Sequence, residues 1–420
     1  MTTESAPDDG RRLPHESRYD AVVAGGGPAG AAAAITLARS GHRVLLADAR
    51  SGPPKTSESL VPAARTLLQD LGVEPRALDR DHRPCHGGLS AWGSPRVEQV
   101  CFINDPHGHG WQLDRTAFDR LLRSQARARG AEVAEHTTVG RPVREPDGGW
   151  RLTVTARGTR RTVRCRWLVD ATGRRARIAV HCGARRRRHD QLVAVHLRFV
   201  HDPYDREDLS LVESVRDGWW YTAPCHPLGR DAVYFTDTDL VPSGLTTAQG
   251  FLDQLATTCH IGARAEGRRP WPGGVPRRGA AHTARLEPAA GDGWIAVGDA
   301  ATAYDPISSQ GVLTALYTGM CAGETVDAHL AGRRDAVDTY LARLDETFDG
   351  YRTGHRAVHS WEQRWPTRPF WQRRHAPAPA PTAGTAPLRR PRRGRGSHAS
   401  PYGKPRSAPG GRVGPTPPHG

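Results

Sequence analysis

YDAVVAGGGPAGAAAAITLARSGHRVLLADAR, running from Tyr19 to Arg50, decides the fold of this 420-residue chain. An apolar strand leads into a glycine turn, an alanine-rich helix, a second turn and a second strand. Gly25, Gly27 and Gly30 make up G-x-G-x-x-G, and Asp48 closes the second strand 23 residues after Gly25. The first glycine permits the tight turn, the second lets a pyrophosphate approach the backbone, and the third lets helix and strand pack closely. The helix start, around Ala29, offers unpaired N–H groups to phosphates, and Asp48 can accept from an adenosine ribose hydroxyl. The glycines alone are a weak signal. With a strand before, a helix after and the acid at this distance, they read as a dinucleotide site.

Two later stretches decide which dinucleotide. CRWLVDATGRRARIA (Cys165–Ala179) is an apolar strand ending in Ala171-Thr172-Gly173. GWIAVGDAATAYDPISSQGVLTAL (Gly293–Leu316) is a strand ending in Gly298-Asp299, then a loop, then a helix opening near Ser309-Gln310-Gly311. Asp299 can accept from the ribityl hydroxyls of a flavin, although the same residue type also serves as an N-cap or turn residue. The helix start beyond Pro306 would aim about half a positive charge at the flavin N1–C2=O edge, favouring the anionic reduced form. No second G-x-G-x-x-G follows a strand, so any nicotinamide is expected to visit transiently.

These three motifs, in this order, resemble the FAD-dependent group that includes aromatic hydroxylases, geranylgeranyl reductases and flavin halogenases. The resemblance implies an α/β fold: a Rossmann-like FAD-binding domain of the para-hydroxybenzoate-hydroxylase type, an inserted β-sheet substrate domain and C-terminal helices. The FAD pieces are expected at about 18–55, 110–180 and 285–330, with substrate-side inserts at about 56–109 and 185–285 and C-terminal helices at 331–375. The expected cofactor-binding residues are Gly25, Gly27, Ala29, Gly30, Asp48, Arg115, Thr172, Gly173, Gly298, Asp299, Gly311 and Val312. Arg115 is the second residue of DRTAFDRLL, which resembles the D-R-x-x-F-D-x-x-L helix start common in this group; Asp114 reads as the cap of that helix.

The inserts select the substrate. QLVAVHLRFV, LSLVESVRDGWWYTAP and DAVYFTDTDLV alternate as strands of a sheet. Trp219, Trp220 and Tyr221 stand side by side there, and because successive side chains point to opposite faces, they cannot share one core. All three are expected to wall the pocket or shield the flavin. The preceding run Arg185–Arg188 reads as a solvated basic loop. His82, Cys85, His86, His107 and His109 do not match a tetrahedral zinc spacing, so no metal is expected; His107 and His109 are candidate proton donors or acceptors. Tyr340, Leu344, Phe348 and Tyr351 form a helical stripe expected to pack on the body. The aromatics that follow, Trp361, Trp365, Phe370 and Trp371, are expected at one edge of the substrate cleft.

GWWYTAP (Gly218–Pro224) partly matches the G-W-x-W-x-I-P signature of flavin-dependent tryptophan halogenases, with Tyr221 in place of the second Trp and Ala223 in place of Ile. Those enzymes also use a lysine, and the chain holds two, Lys55 and Lys404, against 57 arginines. A closer resemblance, over Tyr19–Arg374, is to halogenase-like flavoproteins that act as monooxygenases on tryptophan or tyrosine. Some of those mature the quinone cofactors of amine dehydrogenases and of lysine or glycine oxidases. It is carried by SESLVPAA, LSAWGS, NDPHGHGWQLDR, DGWWYTAP, GDAATAYDPISSQGV and RWPTRPFWQRR; Ser57 stands where the family usually has Gly. It implies flavin reduction by NAD(P)H, directly or through a separate reductase, and oxygen transfer to an aromatic ring from a flavin C4a-hydroperoxide. Pro306, Gln310, Trp219, Tyr221 and His109 are the candidate catalytic residues. The substrate would be an aromatic small molecule or an aromatic side chain of a partner protein. The alternatives are a halogenase of the tryptophan type and a non-catalytic FAD-binding maturation factor.

Composition narrows the partners. The formal charge is +15, but the stretch 376–420 carries seven Arg and one Lys of it. That Pro/Arg-rich tail has almost no aliphatic residues to repay its ordering entropy and is expected to be disordered, as is the polar segment 1–17. Nucleic acid is therefore not an expected partner. Seven cysteines without a C-x-x-C pair, no apolar leader and no run long enough to span a bilayer fit a cytoplasmic protein with no membrane contact.

Overall fold

The computed structural model describes residues 16–50, 58–200, 208–225 and 229–376. Lys55, Ser57, the segment 1–15 and the tail from 377 onward lie outside the described residues.

Five parallel strands form the centre of the first layer, a nine-stranded sheet. β1 (Glu16–Ala24), the helix α1 (Pro28–Arg39), β2 (Val44–Asp48), the helix α2 (Arg115–Ala128), β3 (Glu132–Glu135) and β4 (Thr159–Asp170) form its centre. The strand Trp294–Ala296 joins this centre, in the order Trp294–Ala296, β4, β1, β2, β3, with each of these pairs parallel; antiparallel strands such as Trp150–Ala156 extend the sheet from β4. Parallel strands covered on both faces need continuous apolar runs rather than alternation. Ala21 to Ala24 and Val44 to Ala47 are accordingly buried throughout. Pro28 sits in the first turn of α1, where its missing N–H does no harm, and the helix ends at Ser40 before Gly41 at φ +85°.

The second layer is a seven-stranded sheet. β5 (Leu192–Val200), β6 (Ser210–Val215), β7 (Gly218–Cys225), β8 (Gly229–Asp237) and β9 (Arg277–Ala280) run in the order β9, β5, β8, β7, β6. Gly87–Ala91 and Glu98–Cys101, from the first insert, extend the sheet beyond β6. The two inserts thus share one sheet. LSLVESVRDGWWYTAP is two strands, β6 and β7, turned at Arg216-Asp217.

Alternation along β7 sends the two tryptophans to opposite faces. Trp219 stacks on its cross-strand partner Phe235, with ring centroids 3.9 Å apart and 15° between planes. Trp220 stacks on Tyr234 on the other face and meets Phe251 edge-on. Phe251 belongs to Ala248–Ala256, one of two short helices in an insert that the strand pattern read as sheet alone. Trp220 is therefore a core residue and not a pocket wall.

Arg185–Arg188 is a strand rather than a loop, paired antiparallel with Ala284–Glu287. Only Arg186 turns inward; its guanidinium donates to the carbonyls of Asp299 and Ala300 at 2.8 and 3.1 Å.

Three helices end the described residues: α3 (Gly311–Leu330), α4 (Ala336–Ser360) and α5 (Pro369–His375). α3 lies on α1. Tyr340, Leu344, Phe348 and Tyr351 are the buried stripe of α4, as their spacing predicts. Phe370 and Trp371 are fully buried in a cluster with Trp92, Trp219, Phe235 and Ile307. They support the pocket wall from behind and do not line the cavity itself, as do Trp361 and Trp365, which pack against the cluster. Among the described residues, no helix is long and apolar enough to cross a membrane.

Candidate active site

One cavity of about 550 Å³ joins the two layers. It opens at the carboxyl ends of β1 and β4, the place where open α/β sheets bind ligands. Gly27, Ala29, Gly30, Gly173 and Asp299 line one part; Trp219, Tyr221, Val233 and Phe235 line another. Pro306 to Ser309, Gly311 and Val312 complete the wall. A second cleft of about 530 Å³ lies at the opposite, amino ends of the strands and gathers none of these motifs.

The nucleotide part fits a dinucleotide. Gly25 holds φ +111°, and a Cβ there would stand 2.2 Å from Ala171 O; one on Gly30 would stand 1.9 Å from Gly25 O. Only glycine permits this cradle. The first turns of α1 and α3 carry no side-chain cap, and both helix starts line the cavity, so their N–H groups are available to anionic or carbonyl oxygens. Asp48 is held by Arg123, with Nη1 at 3.2 Å from Oδ2. The same buried guanidinium donates to Gly26 O and, at 2.9 Å, to Glu135 Oε1. Burial alone would raise the Glu135 carboxyl, but hydrogen bonds and charge from Arg123 and Arg50 override it and hold it below its ordinary range. Asp299 lies 3.4 Å from Arg174 Nε, and Arg174 Nη2 also donates to Tyr304 O, tying the Gly173 turn to the Asp299 loop.

The aromatic part is a stacked slab with a polar rim. The Ser59 hydroxyl donates to Gln112 Oε1 at 2.9 Å, which leaves the Tyr221 phenol as donor to Ser59 Oγ at 3.1 Å. Arg115 stands beside them, paired with Glu58 and Asp119. Among the described residues, Trp219 Nε1 and Tyr304 O–H, both on cavity-lining residues, are buried donors without a hydrogen-bond partner.

His196, also in the lining, bonds the fully buried Asp231 at 3.0 Å, and Arg198 Nε reaches the same oxygen at 2.8 Å. Burial opposes ionisation of Asp231, but hydrogen bonds and charge from His196 and Arg198 outweigh it and hold its carboxyl pKa well below the usual carboxylate range. A depressed carboxylate stabilises the fold above its unfolded pKa of about 3.9 and loses that contribution as pH falls through the folded value. Asp231→Asn should lower stability by about 3 kcal/mol at neutral pH. Thermal melts at several pH values should show the gap to wild type narrowing below about pH 4.

The cavity brings together Gly27, Ala29, Gly30, Arg115, Gly173, Asp299, Gly311, Val312, Pro306, Trp219 and Tyr221. Gly25 and Gly298 shape the turns behind it, at φ +111° and +54°. Thr172 is taken up by its own turn: its hydroxyl donates to Asp170 at 2.7 Å and accepts from Arg177 N–H. Gln310 is the N-cap position of α3, and its side chain is not part of the lining. His109 is not brought to the cavity either. Its Nδ1 lies 2.8 Å from Gly110 O and its ring meets Trp111 edge-on, while His107 is exposed on the same loop. Arg174, His196 and Asp305 are cavity residues that the sequence did not single out, since each depends on chain segments far apart meeting.

An FAD binding domain model matches residues 18–223. The FAD-dependent oxidoreductase LodB of Marinomonas mediterranea is 32% identical over 373 residues, covering 85% of this chain and 97% of its own. The chain belongs to this family of FAD-dependent oxidoreductases. Among solved structures, the myxobacterial chondrochloren halogenase CndH superposes with a TM-score of 0.77 at 22% identity, over 86% of this chain and 87% of that one. The peptidyl tryptophan dihydroxylase QhpG, described as essential for tryptophylquinone cofactor biogenesis, gives a TM-score of 0.72 at 24% identity, over 88% and 81%. At these identities the two structures speak for the fold, which halogenases and hydroxylases share.

Proposed function

We propose that this flavoprotein is a monooxygenase that hydroxylates an aromatic ring of the tryptophan or tyrosine type, with NAD(P)H as electron donor. The observation that carries the reading is the single cavity running from the glycine cradle to the Trp219–Phe235 slab. The glycine turn and the start of α1 would hold the pyrophosphate, Asp48 the adenosine ribose, and Asp299 with the start of α3 the flavin end. When bound, the flavin supplies two-electron chemistry with dioxygen, and the chain supplies binding, orientation and a dry site. Trp219 and Phe235 present a flat apolar face against which an aromatic ring can lie, and they exclude water from that side. Tyr221, fixed through Ser59 and Gln112, places a phenol on the rim where a ring substituent can be oriented.

Tyr221 in place of the halogenase signature's second tryptophan favours oxygenation, and the QhpG likeness supports a side chain of a partner protein as the ring. The CndH likeness favours the second reading, halogenation. The two part in a simple assay. Holoprotein in aerated buffer, with or without bromide, is supplied with NAD(P)H and with free tryptophan, free tyrosine or peptides containing either. Oxygenation requires NAD(P)H oxidation that a ring substrate stimulates equally in both buffers. Turnover only with bromide would establish the halogenase reading instead. Bound flavin that neither NAD(P)H nor an added flavin reductase can reduce would leave a non-catalytic maturation factor.

A further inference from the structure

Asp305 stands immediately before Pro306 on the loop that lines the cavity, and it is 1% exposed. Its Oδ1 accepts from Ile307 N–H at 3.0 Å, which shapes the loop. Its Oδ2 lies 3.0 Å from His355 Nε2. His355 and His359 are one helical turn apart on α4, so their rings share a face, with centroids 4.2 Å apart.

The state of His359 follows from its contacts. Its Nδ1 is 2.9 Å from the carbonyl oxygen of His355, a contact that requires the proton on Nδ1. Nε2 is then left with a lone pair, and it is buried with no hydrogen-bond partner among the described residues. An orphaned buried acceptor is costly, so this atom calls for a proton donor or an electron-pair acceptor. One ligand atom each from Asp305, His355 and His359 lie within 4.8 Å of one another, the group among the described residues whose ligand atoms converge in this way.

We propose that Asp305, His355 and His359 bind a divalent first-row transition-metal cation of the zinc class and so clamp the Asp305–Ser309 loop to α4. One carboxylate and two imidazoles form a borderline N/O donor set suited to such ions. Bonds of about 2.0–2.1 Å set ligand atoms roughly 3.3 Å apart. The Asp305–His355 pair is already near that spacing, and His359 has to close in from within 4.8 Å. The Nδ1–carbonyl contact is the outer partner that fixes a ligating histidine in its tautomer. The charge of Arg374 acts on both Asp305 and His359, and it is offset by Asp237, which accepts from its two Nη atoms at 2.9 and 3.2 Å. Trp92 and Trp371 close the cluster from the apolar side. The spacing of His82, Cys85, His86, His107 and His109 gives no expectation of a metal; the ligands meet here only because α4 folds back onto a loop 50 residues earlier.

The test uses the flavin-loaded full-length protein after passage over a chelating resin. Titration with zinc followed by removal of excess should leave about one zinc per chain by mass spectrometry, with a rise in melting temperature. Cobalt(II) in place of zinc should give d–d bands at wavelengths beyond the flavin absorption. His359→Gln should retain flavin while binding zinc roughly tenfold less or worse. Wild-type protein that holds no stoichiometric zinc and gives no cobalt band would overturn the proposal, as would His359→Gln binding zinc like wild type. Should that variant fail to fold, the wild-type cobalt titration decides by itself.

Discussion

Gly30→Val should leave the purified protein colourless. The new Cβ would stand 1.9 Å from Gly25 O and 2.8 Å from the Ala171 Cβ, closer than any real side-chain contact, and both are parts of the cradle rather than flexible side chains. Relief requires α1 to move away from β1 and β4, which displaces the N–H groups that face the pyrophosphate. The flavin-to-protein absorbance ratio is expected to fall more than tenfold, on the reasoning that misplaced backbone donors forfeit several kcal/mol of binding. Gly350→Ala on α4, where a Cβ meets nothing within 4 Å, should retain full flavin content. Circular dichroism of both variants separates loss of cofactor from loss of fold.

Trp371→Ala should give the largest loss of stability. Its side chain is fully buried, meets Trp92 edge-on at 5.5 Å, lies over Trp365, and donates from Nε1 to Val215 O at 3.0 Å. Truncating such a residue to alanine costs about 3–5 kcal/mol, since the cavity left behind does not collapse. The carbonyl of Val215 also loses its partner. Because the same cluster contains Trp219, Phe235 and Ile307, the substrate wall loses its backing along with the fold. Denaturant unfolding should show the midpoint shifted with the slope unchanged, and Trp371→Phe should recover part of the difference.

The dinucleotide half of the molecule was legible in the sequence because its signals are local. The β1–α1–β2 unit, the cap of α2 by Asp114 and the buried stripe of α4 each rest on residues a few positions apart. Asp114 indeed accepts from Thr116 and Ala117 N–H groups. The failures share a different cause. Alternation required Trp219 and Trp220 to part, but it could not say that Ala248–Ala256 would cover the far face. Four consecutive arginines suggested a solvated loop because charge was weighed without a partner strand; Ala284–Glu287, about a hundred residues later, supplies that strand. The seven-stranded sheet likewise joins Gly87–Ala91 to β6, over a hundred residues apart. Candidate site residues on the glycine-rich turns could be named in advance, since turn chemistry is written in the turn itself. His109 stood in a suggestive loop, yet the loop delivers it to Trp111 and not to the cavity.

The central claim is that the cavity delivers oxygen to an aromatic ring. The most direct measurement supplies isotopically heavy dioxygen to reduced holoprotein with tryptophan- and tyrosine-containing substrates in halide-containing buffer, and reads the product by mass spectrometry. The expected product carries heavy oxygen on the ring and no halogen isotope pattern. A halogenated ring, or dioxygen consumed with no label in any ring product, would contradict the account.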